Sequence, residues 1–324
     1  MAERVITYSE ALNEAHRLEM ASNPDVVVFG ENVSSGWRHV TKGLKEEFCR
    51  ERVRDAPITE TAFIGMGVGA AIIGLKPVVE LMLVDFGLVA MDQILNQMAK
   101  SHYMSGGAVK VPMTLRATYG AGTSSAATHS ESLYSLFAHM PGLKVVIPSN
   151  PYDAKGLLIE SIRGDDPVLF MEHRLLYPME GVVPEEAYTV PFGMANLVRE
   201  GSDVTVVATG LMVGKAVEAA DELGPKCSVE VIDPRTIVPL DEEAILRSLS
   251  KTGRLVIVDE DYERCGFSAE VAAIAAEMGF QHLDAPIVRV ATPNVPIPYS
   301  PVLEKHLLPS KEKIVKAISQ LVGY

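Results

Sequence analysis

The sequence is poor in cysteine and in basic charge, and no apolar run is long enough to cross a bilayer. Its three cysteines, Cys49, Cys227 and Cys265, lie far apart in 324 residues and form no CxxC pair. That argues against a disulfide framework or a structural zinc site and leaves buried, reduced thiols as the expectation. Lys and Arg number 29 against 42 Asp and Glu, a formal net charge of −13. Phosphate binding needs a clustered basic face, so no nucleic-acid partner is expected. The longest apolar run, residues 61–75, is rich in glycine and stops at Lys76-Pro77. It reads as a buried helix, and no membrane span is expected. The opening segment MAERVITYSEALNEAHRLEM has the pattern of an amphipathic helix with acidic residues, not of a signal or transit peptide. A cytoplasmic location is the expectation.

What the sequence does hold is alternation. Strand candidates at 26–29, 77–84, 113–117, 144–148 and 168–172 are separated by helix candidates at 9–20, 62–73, 88–104, 131–139 and 152–163. In 88–104 the apolar positions Leu88, Met91, Leu95 and Met98 recur at helical spacing. Strands apolar throughout and alternating with helices imply an α/β fold, a parallel sheet covered on both faces. Residues 177–191, YPMEGVVPEEAYTVP, break the pattern with Pro and Glu and read as a linker. The alternation then restarts at 204–208 and continues to 311–321. Two α/β domains, 1–185 and 186–324, are therefore expected, and the length agrees at roughly 100–200 residues per domain. Length and composition alone suggest a self-sufficient enzyme.

Four segments could carry chemistry. Residues 52–60 run through Pro57 into a helix whose first turn holds Glu60. That carboxylate either complements the helix dipole or is a partly desolvated group held to exchange a proton. Gly65, Gly67 and Gly69 lack both the preceding strand and the spacing of a dinucleotide loop, so they read as close-packing positions. Residues 119–132 follow a strand with a run of small residues and then His129, which is either a substrate-facing imidazole or a surface histidine beside an N-cap serine, Ser130. Residues 161–167 end a helix in Gly164-Asp165-Asp166-Pro167, a turn that can be a solvated C-terminus or a seat for a hard cation.

Six segments, in order, resemble the β subunit of the thiamine-diphosphate-dependent E1 component of 2-oxo acid dehydrogenase complexes, of pyruvate, branched-chain or acetoin type. They are FGENV (29–33), DAPITE (55–60), HYMSGG (102–107), THSES (128–132), GLKVVIPSNPYDAKGLL (142–158) and IDPRTIVPLD (232–241). The resemblance implies a pyrimidine-binding domain followed by a transketolase-type C-terminal domain. It places Glu60 on the glutamate that hydrogen-bonds the cofactor's N1′, so that the exocyclic nitrogen can take the thiazolium C2 proton. It assigns Glu31 to the same cofactor site. Phe86 falls where an aromatic ring, often Tyr, packs on the aminopyrimidine. His129 falls on the histidine facing substrate and the incoming lipoyl group. Glu131 stands where relatives carry Gln, and Asn32 where they carry Asp. A structural potassium is also implied, held mostly by backbone carbonyls of Met113, Ser161, Ile162, Gly164 and Asp166.

One absence then decides the architecture. The GDG motif with a downstream NN that holds magnesium on the diphosphate does not occur in the chain. The resemblance therefore implies an α subunit supplying the Mg2+ and diphosphate side, an α2β2 assembly, and docking of lipoyl-bearing E2 on the C-terminal domain. The reaction implied is decarboxylation of a pyruvate-like 2-oxo acid, or acetoin cleavage, with acyl transfer to E2. The alternatives are half of a split transketolase, against which the loop 120–128 offers no His or Arg for sugar phosphates, and a non-catalytic subunit anchoring E2.

Overall fold

The computed structural model describes residues 4–323. Two compact units emerge, and they exchange one segment: the first runs to Tyr119 and resumes over Phe137–Phe192, and the second takes Gly120–Leu136 together with everything from Gly193 onward.

The first unit opens with β1 (Val5–Thr7) and α1 (Tyr8–Ser22). Thr7 and Glu10 form a reciprocal capping box, which fixes the start of α1. Next come β2 (Val26–Gly30), α2 (Leu44–Arg52), β3 (Val53–Asp55), α3 (Glu60–Ile72) and β4 (Lys76–Leu83). After them follow α4 (Ala99–Met104), β5 (Thr114–Tyr119), the short α5 (Tyr134–Ala138), β6 (Lys144–Val146), α6 (Pro151–Arg163), β7 (Val168–His173) and β8 (Glu180–Val182). Asn150 caps α6 through the N–H of Asp153, and Pro151 takes the first helical position, where its missing N–H costs nothing. Six strands of this unit pair in parallel in the order β6-β7-β5-β4-β2-β3. β5 and β7 are buried along their whole length, as central strands of a doubly covered sheet are, polar residues such as Arg116 and Glu172 included.

The second unit continues with β9 (Asn196–Arg199), β10 (Val204–Ala208), α7 (Leu211–Leu223), β11 (Val229–Asp233), β12 (Thr236–Val238), α8 (Glu242–Thr252) and β13 (Leu255–Tyr262). It closes with α9 (Phe267–Met278), β14 (Val288–Thr292), α10 (Pro301–Leu307) and α11 (Lys311–Val322). Its sheet has the order β14-β13-β10-β11-β9, parallel except for the edge strand β9. The core is Val204, Val206, Val229, Val231, Val256 and Val258 packed on Met212, Ala216, Ile314 and Ile318.

Two expectations need correction. The helix expected over 88–104 is split into a 3₁₀ stretch Val84–Ala90, a π-helical stretch Gln93–Met98 and then α4. The wide π turns bury Ile94, Leu95 and Met98, a set that apolar spacing alone cannot distinguish from an α-helix. The helix expected to be buried, α3, hides Phe63, Ile64, Val68 and Ala71 but leaves Met66 51% exposed, and Ile73 at its end is 80% exposed.

Candidate functional site

The first unit has a topological switch point. From β2 the chain crosses to β3 on one side, and β4 then pairs on the other side of β2. The connections leaving neighbouring strand ends part there, and in open α/β sheets the crevice at those carboxyl ends is where ligands bind. Gly30 closes β2 at φ 137°, and a Cβ there would lie 2.1 Å from the carbonyl oxygen of Glu80. Only glycine permits this approach. The next N–H, that of Glu31, donates to the same carbonyl at 3.1 Å.

Glu31 is thereby delivered inward, 4% exposed, and its Oε1 has no hydrogen-bond partner among the described residues. Burial, then the carboxylates of Glu60 and Glu80, push its pKa up to about 7. Glu60 arrives by a separate route. The Ala56 N–H bonds Gly30 O at 2.8 Å, laying the Pro57 turn over the end of β2, and Thr59 O accepts the N–H groups of Ala62 and Phe63. Glu60 is the first residue of α3 and is half-buried.

Behind these two carboxylates lies a set the sequence reading missed. Arg116 on β5, fully buried, holds Glu172 through two bonds of 2.7 Å and Glu80 through one of 2.6 Å. Tyr177 Oη donates to Glu172 at 2.8 Å. Burial keeps the Glu80 carboxyl above the ordinary range, against the pull of Arg116. A signal was available: one arginine in an apolar strand, with Glu80 directly opposite it in register and Glu172 on the other neighbour. Opposite charges on adjoining buried strands must meet or be expelled.

Met82, at φ 68°, makes an irregular turn within β4, where the register with β5 shifts between Glu80 and Leu83, and donates its N–H to Glu80 at 3.0 Å. The turn leads into the 3₁₀ stretch carrying Phe86, which is half-buried. Glu31 and Glu60 thus meet, and Phe86 follows the β4 end of the same switch point. His129 belongs to the segment folded with the second unit. It is exposed, with Nδ1 2.9 Å from Thr128 Oγ1. Its loop is tied by the N–H of Ala121 to Glu260 (2.7 Å) and the N–H of Gly122 to Glu304 (2.8 Å). Glu131, beside it, accepts from Tyr262 Oη at 3.4 Å.

The residues implied for potassium also share one corner of the first unit. Met113 O accepts the Val168 N–H at 2.9 Å, Gly164 O accepts the ammonium of Lys76 at 2.7 Å, and the Asp166 carboxylate pairs with Lys144 at 2.8 Å. Among the described residues no group of three or more His, Cys, Asp or Glu is placed to hold a metal ion, and no helix is long and apolar enough to cross a membrane.

Known proteins resemble the chain over its whole length. The chain matches the family described as transketolase, pyrimidine binding domain over residues 4–180, and transketolase, C-terminal domain over residues 193–314. A solved split-gene transketolase, an inactive β4 tetramer, has the same fold, with a TM-score of 0.80 at 23% identity over 98% of both chains. The class is therefore the two-domain transketolase type.

Within it, the β subunit of acetoin:2,6-dichlorophenolindophenol oxidoreductase from Bacillus subtilis (strain 168) is 49% identical over 99% of this chain and 98% of its own. The 2-oxoisovalerate dehydrogenase subunit beta of the same organism is 43% identical, covering 99% of each. The pyruvate dehydrogenase E1 component subunit beta of Rickettsia felis (strain ATCC VR-1525 / URRWXCal2) is 44% identical over 98% of this chain and 99% of its own. The chain belongs to the family of E1 β subunits of 2-oxo acid dehydrogenases.

Proposed function

We propose that the chain is the β half of an α2β2 E1 enzyme. Together with α it acts on a pyruvate-like 2-oxo acid, or on acetoin, and passes the acyl group to lipoyl-bearing E2. The single observation that carries the catalytic side is the buried, unmet Oε1 of Glu31 beside Glu60 at the switch point. A buried acceptor without a partner calls for an explanation, and a ligand's donor supplies one. Thiamine diphosphate, when bound, supplies the carbon nucleophile and the electron sink for cleavage next to a carbonyl.

The chain's own residues do the rest. Glu60 hydrogen-bonds the aminopyrimidine at N1′. Glu31, with its pKa near 7, can hold or release a proton at neutral pH and shares the polar edge of the ring. Phe86 gives the ring an apolar face. His129 presents an imidazole to substrate and to the lipoyl group. Domain 1–185 carries the pyrimidine side, and 186–324 carries the surface for E2, whose basic binding module would suit a chain of net charge −13.

The α subunit supplies Mg2+ and the diphosphate contacts, since no GDG…NN pattern is present. The open face of α3, with Met66 and Ile73 in water and no atom within 4 Å of where a Gly69 Cβ would lie, suits close packing by a partner helix. The three cysteines are free, which fits a cytoplasmic setting, although only Cys227 is buried as expected and Cys49 and Cys265 are exposed. A split transketolase is the weaker reading, because the E1 relatives stand at 43–49% identity and the split transketolase at 23%.

Glu60→Gln should lower turnover of the α-reconstituted enzyme by about 100-fold or more while assembly stays intact. Turnover near wild type would end the catalytic assignment. The isolated chain should bind thiamine diphosphate weakly, and tight binding by this chain alone would refute the half-site.

A further inference from the structure

The end of α6 leaves backbone carbonyls that no later turn of helix can satisfy. Lys76, the first residue of β4, answers the last of them, Arg163 O, and the Gly164 carbonyl just beyond the helix. Its backbone is pinned by an N–H bond to Asp25 O at 2.9 Å. Its ammonium donates to Arg163 O at 2.8 Å and Gly164 O at 2.7 Å, with Asp165 at 3.8 Å. Only about a fifth of the side chain is exposed. The neighbouring acids are paired as well, Asp165 with Lys110 at 2.6 Å and Asp166 with Lys144 at 2.8 Å. Met113 O, the remaining carbonyl of the implied potassium set outside this helix end, already accepts the Val168 N–H.

This donor set does not fit a potassium ion. An ion seated on Gly164 O would share that oxygen with an ammonium, and two further ammonium groups hold the adjoining carboxylates. We propose that Lys76 is the built-in cation of this corner. Its ammonium performs the charge-neutralising task of a monovalent ion, and the chain takes none at Met113, Ser161, Ile162, Gly164 and Asp166. Lysine suits the role, being a compact point charge with three donors, two of which are spent on carbonyls and the third directed toward Asp165.

The test uses the full chain and two readouts besides activity. Rubidium replaces potassium for anomalous diffraction, and thermal midpoints are compared in potassium and tetramethylammonium chloride. Wild type should show no rubidium peak at the Gly164 turn and equal midpoints in the two salts. Lys76→Met should gain a peak there and a potassium-dependent rise of about 3–6 °C at saturating ion. Lys110→Met, which removes a nearby positive charge but leaves Lys76 in place, should gain neither. A rubidium peak on the Ser161, Ile162 and Gly164 carbonyls of wild type would overturn the proposal. So would a wild-type midpoint that rises in potassium, or Lys76→Met and Lys110→Met responding alike.

Discussion

Both units place carboxylates at the carboxyl ends of parallel strands, and they treat them in opposite ways. At the end of β13, Asp259 accepts from Tyr134 Oη, from the N–H of Asp261 at 3.1 Å and from the N–H of Ser268 at 2.8 Å. Glu260 accepts the Ala121 N–H, and Asp261 accepts the Tyr262 N–H at 2.6 Å. At the switch point of the first unit, Glu80 is met by Arg116 and Met82, while Glu31 keeps an oxygen that none of the described residues meets. Burial raises the carboxyl pKa in both places, to about 7 for Asp261 and for Glu31. Titration therefore does not separate them. What separates them is whether the chain closes its own hydrogen bonds: a closed set is architecture, and an open one is a seat for something else.

Substitutions can break this contrast. Asp259→Ala should cost the most, about 3–5 kcal/mol, because it strands buried donors of Tyr134, Asp261 and Ser268. Denaturant unfolding checks it, and an unchanged midpoint would remove the architectural reading. Glu31→Gln should act in the other direction. A carboxyl raised to about 7 in the fold and near 4.5 when unfolded favours folding while protonated, and that contribution is lost as pH rises through 7. At pH 8 the Gln variant should thus be more stable than wild type by about 1–3 kcal/mol, with a flatter profile between pH 5 and 8. Thermal midpoints across that range decide it, and parallel profiles would sink the idea. The smallest effect is expected for Glu304→Gln, which keeps an acceptor but loses its charge. Amide exchange at Gly122 and Ser124 should quicken about 10-fold with little change in global stability. Exchange at the wild-type rate would show that Glu304 does not hold the loop.

Much of this was legible from residue pattern. The alternation of β-branched runs and helical stretches yields the α/β class, because a parallel sheet imposes it. Glu60 at a helix start follows from Pro57 and the run after it. The short strands β1, β3 and β8 were not legible: each has three residues, too few for periodicity to register. The Glu80–Arg116–Glu172 set was missed because long-range register, not local spacing, brings it together. Exposure of α3 was misjudged for a related reason. An apolar helix looks the same in sequence whether its second face meets its own chain or another. The capture of Gly164 by Lys76 spans 88 positions in sequence, and no local pattern announces it.

The folding of the His129 segment with the second unit has a consequence in time. Ser124 donates its N–H to Glu304, which lies 180 residues further along the chain. At about 5–20 residues per second, a ribosome reaches that glutamate roughly 9–36 s after it has passed the loop. The first unit's switch point draws on residues no later than Tyr177, so it can close well before then. A histidine encoded in the first half of the gene gains the last ties of its loop only when the message is almost read out, and a chain cut short before α10 would keep the Ala121–Glu260 bond but lack those of Gly122 and Ser124 to Glu304.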